Sequence, residues 1–206
     1  MLAEKFYECF TKAIEAKRDV LESAWDNLGC FTNEIKQLIS DAMKQTKETE
    51  SFEVQREYYN IDLTGWVQRK TKSKEMLTVN DGIQAYKFEK YAWDFIMAIE
   101  HENDKNLWMD ELIKLSYIFC ELRVVIGYFP YIDNCTQKLM MQKKYLEEVA
   151  KTMQKLNCKD NLSNGEFMII LGDVCEKEDE GFKKLTYTPY LYNSSGKCFK
   201  LLNFEN

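Results

Sequence analysis

The sequence predicts an α/β (α+β) protein, one domain with a mixed central β-sheet flanked by helices. Three observations carry this reading. Apolar residues recur at helical spacing over 3–25 and again over 136–156. An aromatic and β-branched run, FEVQREYYNIDLTGW, occupies 52–66 and has the composition of strands. Two nearly unbroken apolar runs, LRVVIGYF (122–129) and EFMIILGDV (166–174), suit strands covered on both faces.

The elements follow in order. Ala3, Phe6, Phe10, Ile14, Leu21 and Trp25 lie on one side of an N-terminal amphipathic helix. After a break at Leu28-Gly29, Thr32 or Asn33 is positioned to cap a second helix reaching about Lys44, with Ile35, Leu38, Ile39 and Ala42 as its apolar stripe. The polar run KQTKETE reads as a loop before the strand-like segment 52–66. A second strand is expected at 76–79, a turn at Asn80-Asp81-Gly82, and a longer strand from Tyr86 or Trp93 to Glu102. Helical spacing returns with Trp108, Leu112, Leu115 and Phe119, and the 136–156 helix presents Leu139, Leu146, Val149, Met153 and Leu156. From Phe182 onward the chain holds aromatic, β-like pieces. Antiparallel strands followed by helical crossovers imply a mixed sheet between helices.

Composition narrows the chemistry. With two prolines and eight glycines there is little material for linkers, which favours a single domain over 1–206. The seven cysteines are odd in number and widely spaced, and the charged N-terminus lacks the apolar core of a signal peptide. Reduced thiols and a cytoplasmic location are therefore expected, so that the sequons at Asn134, Asn161 and Asn193 are chance matches. No stretch reaches the ~20 apolar residues of a membrane span. A net charge of −6 weighs mildly against a constitutive nucleic-acid coat without excluding an enzyme whose acids hold cations.

The single histidine, His101, makes Ser-His-Asp and Cys-His sites and multi-histidine metal sites unsuitable readings. There is no Cys-x-x-Cys pair, GxxxxGK[ST] or GxGxxG. Carboxylate chemistry remains. In AIEHEND, Glu100 and Glu102 alternate with Ile99, His101 and Asn103, so a strand would send both from one face with Cα atoms about 6.6 Å apart. Carboxylates so spaced can converge on a hard cation. The plainer alternative is that they solvate a strand's end, as Lys114 would by default pair with Asp110 or Glu111 on a helix surface. Likewise Arg69, Lys70, Lys72 and Lys74 read either as a solvated hairpin end or as a clamp on phosphates.

Taken together, IDLTGW (61–66), the basic connection, WDFIMAIEHEND (93–104), WMDELIKL (108–115) and ELRVVIGYF (121–129) resemble the PD-(D/E)XK, restriction-endonuclease-like nuclease superfamily over about residues 31–175. The N-terminal helix and the C-terminal β-like extension flank that core. The resemblance implies a core of helix, three antiparallel strands, helix and strand, with an aspartate on the second strand and acid-x-lysine on the third around one or two magnesium ions. Asp62 matches the aspartate and Glu100 the second acid. Glu102 stands where lysine is expected, a departure shared with some restriction-type members, while others supply the lysine from the following helix, where Lys114 lies. Glu34 is a candidate acid from the first core helix. On this resemblance Asp62, Glu100, Glu102 and Glu34 are expected metal ligands for Mg2+ or Mn2+. Glu102 serves as a ligand or general base, and Lys114 as the catalytic lysine. Positive charge from Arg69, Lys70, Lys72 and Lys74 is then expected to grip the DNA backbone near the site. The implied activity is metal-dependent DNA cleavage, the alternative being a catalytically inactive nuclease-fold module that binds nucleic acid or protein. A homodimer stays open, and no membrane partner is expected.

Overall fold

A computed structural model describes residues 1–25, 27–48, 51–68, 93–104, 108–129, 132, 134–155, 165–177 and 182–202. The second strand anticipated at 76–79, its Asn-Asp-Gly turn, and Arg69, Lys70, Lys72 and Lys74 lie outside the described residues.

Three helices come first: α1 (Leu2–Ala16), α2 (Arg18–Ala24) and α3 (Leu28–Lys47). The apolar stripe over 3–25 is thus carried by two helices rather than one, broken at Lys17, whose φ of −123° is not helical. The next boundary also differs from expectation. Asn27 caps α3, its side chain accepting from the Cys30 backbone N–H at 3.1 Å, so Leu28 and Gly29 open the helix instead of preceding it. Thr32 is spent on a bond to the Leu28 carbonyl at 2.7 Å.

The segment 52–66 proves to be a hairpin, not one strand. β1 (Phe52–Tyr58) turns at Tyr59-Asn60 into β2 (Ile61–Gln68), with Tyr58 paired to Ile61. Both turn residues have positive φ, 52° and 58°, as a two-residue type I′ turn requires. Next come β3 (Trp93–His101), α4 (Trp108–Ser116), β4 (Leu122–Tyr128), α5 (Cys135–Lys155), β5 (Glu166–Lys177), β6 (Phe182–Asn193) and β7 (Cys198–Leu201).

The seven strands form one sheet in chain order. β1, β2 and β3 are antiparallel neighbours, β3, β4 and β5 run parallel, and β5, β6 and β7 are again antiparallel. Each of the two parallel steps contains a helix, α4 or α5, because a parallel return needs a crossover. Alternation along β4 shows the layering. Leu122, Val124 and Ile126 join the core under α1–α3, with Phe6, Phe10, Phe31 and Ile35. Val125 points the other way, into the core under α4 and α5, with Trp108, Leu112, Leu146 and Met153. Every residue of β4 is buried, Arg123 included, as its nearly unbroken apolar sequence implies. Leu139, by contrast, is 37% exposed on α5 and does not belong to its buried stripe.

Candidate active site at the end of strands β2 and β3

Asp62 and Glu100 come together where β2 begins and β3 ends. The antiparallel register pairs Leu63 with Ile99, and one step further brings these two acids side by side. Two backbone bonds fix them. The Asp62 N–H donates to Glu100 Oε2 at 3.2 Å, and the His101 N–H donates to Asp62 Oδ2 at 2.9 Å. Each carboxylate thus has one oxygen tied to the neighbouring strand.

The second oxygen of each faces a lysine from a different helix. Lys114 Nζ of α4 is 2.6 Å from Glu100 Oε1, and it also pairs with Glu111 and donates to the Asn60 carbonyl at 2.8 Å. Lys36 Nζ of α3 lies 2.6 Å from Asp62 Oδ1 and 2.8 Å from Glu57 Oε1. The resulting cluster of four acids and two lysines spans the β1–β2 hairpin, β3 and two helices.

Burial sets the electrostatics. The Glu100 side chain is only 3% exposed. Loss of water pushes its pKa up to about 8, and the charges of Asp62 and Glu111 add to the rise although Lys114 pulls it down. Desolvation works against the charge on Lys114 and Lys36, yet their acidic partners outweigh it and hold both pKa values above the ordinary lysine value. His101 faces the opposite way and is buried, its Nε2 3.1 Å from the Tyr128 hydroxyl. Burial, helped by the Lys36 charge, drives its pKa down to about 3, so the ring is neutral. It is a packed histidine beside Phe31 and Tyr128.

The remaining sequence candidates are placed differently. β3 ends at His101, so Glu102 does not share a strand face with Glu100. Its backbone N–H donates to the Ile126 carbonyl at 2.9 Å, while its carboxylate accepts from the Asp104 N–H at 2.7 Å. Glu34 is half-buried on α3, but the α3 side chain that meets Asp62 is Lys36. Among the described residues, no three His, Cys, Asp or Glu side chains form a group that could hold a metal ion. Lys36 itself escaped the sequence reading, because a lysine on a helix's polar side carries no mark of what it touches. Lys114 pairs both with Glu111 on its own helix, as helical spacing leads one to expect, and with the buried Glu100.

The donor set suits a magnesium-type ion in one respect. Such ions are commonly held by one or two carboxylates, the other positions going to water and substrate phosphate. Asp62 and Glu100 supply two adjacent carboxylates, with Glu100 nearly sealed from water. Among the described residues no helix is long and apolar enough to cross a membrane. Compared with known proteins, the sequence matches no family model, and no curated protein matches it.

Proposed function

We propose that the chain is a metal-dependent DNA endonuclease of the restriction-like type, acting in the cytoplasm. The observation that carries the reading is Lys114 reaching from the helix after β3 to Glu100, beside Asp62 on the neighbouring strand. The element order α3, β1, β2, β3, α4, β4 also matches the order that the resemblance to PD-(D/E)XK nucleases calls for. Two acids on adjacent strands, with a lysine supplied from the following helix, answer to its aspartate, acid and migrated lysine.

Asp62 and Glu100 would hold Mg2+ or Mn2+. A bound ion of this kind lowers the pKa of a water and offsets charge on a phosphoryl group. The protein's own groups do the rest. Backbone donors from Asp62 and His101 orient the two carboxylates without spending a side chain. Lys114, held by the Asn60 carbonyl, carries a fixed positive charge beside the scissile phosphate and stabilises the charge that develops there. The basic residues Arg69, Lys70, Lys72 and Lys74 would grip the DNA backbone.

A second reading has one observation in its favour. Lys36 and Lys114 already neutralise the two acids, as in a cluster kept for structure. On that reading the chain is a non-catalytic nuclease-fold module that binds nucleic acid or a protein. Plasmid nicking in Mg2+ and Mn2+, across several substrate sequences, separates the two. Native protein should nick and Glu100→Gln should not. Protein that binds metal and DNA but never nicks is the module.

A further inference from the structure

The β1–β2 turn places an exposed ring next to the site. Tyr59 is 78% exposed and sits at a φ of 52°, a left-handed conformation that glycine or asparagine adopts far more readily than an aromatic residue. Its ring meets Tyr58 edge-on with centroids 4.5 Å apart. Tyr58 in turn meets Trp66 edge-on at 5.4 Å, and Trp66 stacks on Phe95 at 4.4 Å with planes 15° apart. The Trp66 indole N–H is anchored on the Thr64 hydroxyl at 2.9 Å. Four rings thus run from β3 across β2 to the hairpin tip. The next residue after Tyr59 is Asn60, whose carbonyl holds Lys114, the lysine paired with Glu100.

We propose that this aromatic series, ending in Tyr59, is a stacking platform for an unpaired base of the DNA strand presented to the Asp62–Glu100 site. The substrate class is then DNA with single-stranded character, such as an overhang, flap or melted segment, because bases inside a duplex have their faces covered. This rests on the endonuclease reading for the position of the strand. Stacking on aromatic side chains needs no particular base and is independent of phosphate charge, which suits an acidic protein. Tyr58 supports the Tyr59 ring at its edge and leaves most of its surface open to a base.

The test is fluorescence anisotropy with a single-stranded oligodeoxyadenylate and a blunt hairpin duplex, in calcium to bar cleavage. Tyr59→Ala should weaken single-strand binding by about 5- to 150-fold, the range for one lost stacking contact, and weaken duplex binding less. Tyr59→Phe should bind like the native protein. Tyr59→Asn, which accepts the positive φ, should bind as poorly as Tyr59→Ala while melting at or above the native temperature. Unchanged single-strand binding in both ring-deleted variants overturns the platform, as does Tyr59→Phe failing as badly as Tyr59→Ala. If the native protein nicks duplex DNA and Tyr59→Ala binds and nicks alike, the platform fails and the endonuclease reading stands. If nothing is nicked but ring-dependent binding persists, the endonuclease reading fails and the platform stands.

Discussion

Lys114 and Glu100 form an ion pair in which the carboxylate is nearly sealed from water while the ammonium is a third exposed. The asymmetry decides what each substitution does. Lys114→Met removes the cation beside Glu100 Oε1 and leaves this buried side chain with only its bond from the Asp62 N–H. A loss of about 1–3 kcal/mol is expected, less than for a fully buried pair because solvent screens the lysine. Glu100→Gln together with Lys114→Met should cost less than the sum of the two, a coupling that urea melts of the four proteins will read. Additive losses would mean that the pair contributes nothing.

The stability of the protein should be flat in mildly acidic solution and fall on either side. Glu100 has its folded pKa raised from 4.5 to about 8, so between those values the folded state holds the extra proton and stability declines as pH rises. His101 has its folded pKa lowered from 6.5 to about 3, so between those values the unfolded state holds the extra proton and stability declines as pH falls. The two trends oppose each other from 4.5 to 6.5 and leave a plateau there. Glu100→Gln should remove the loss between 6.5 and 8, worth about 1.4 kcal/mol per pH unit at full effect. Equal alkaline slopes in native and variant melts would contradict this assignment.

Lys36 should compete with a metal for Asp62, since its ammonium occupies the one carboxylate oxygen that the His101 N–H leaves over. Lys36→Ala is expected to tighten Mn2+ binding by about tenfold, roughly one pKa unit's worth of charge interaction, while lowering the metal-free melting temperature. Calorimetric titration and thermal melts with and without Mn2+ give the two numbers. Weaker Mn2+ binding in the variant would show that Lys36 orients Asp62 rather than masking it.

Gly165 should tolerate no side chain. Its φ is +76°, and a Cβ there would lie 2.4 Å from the Cys120 carbonyl oxygen and 2.7 Å from that of Glu121. These are backbone atoms held by the start of the β4–β5 pairing, including the Glu166 N–H to Glu121 carbonyl bond at 2.7 Å. Gly165→Ala should cost about 3 kcal/mol from strain and overpacking together. Gly196→Ala, where the nearest neighbours are the Cys198 and Asn193 side chains beyond 3 Å, should cost far less in the same denaturation assay.

Periodicity revealed what burial controls. The continuous apolar runs of β4 and β5 and the stripe of α3 are readable because each buries a face that the pattern spells out. The β1–β2 hairpin was hidden, since Tyr59-Asn60 adopts positive φ without the glycine that usually announces a type I′ turn. The site was half legible. Asp62 and Glu100 could be named from strand-like surroundings and from the family they resemble, and they do meet. Their relation to Lys36 depends on how α3 lies on the sheet, which one sequence does not encode in any local pattern. Glu102 lies one residue past the end of β3, where its carboxylate accepts from the Asp104 N–H, and a strand's last residue is not marked in the sequence.

Among the described residues β1 and β7 are the outer strands of the sheet, and they bear on how copies of this chain can meet. β1 carries Glu53, Gln55, Arg56 and Glu57 exposed along its length, and Glu57 has a φ of 53° that bends its end away from extended geometry. β7, at the other margin, is four residues long. Charged, kinked or very short borders offer a poor template for another chain's backbone, which is how natural sheets resist sticking to one another. A homodimer of this protein would therefore be built from side-chain surfaces, and a crowded solution of it should resist fibrous aggregation that starts at the sheet's margins.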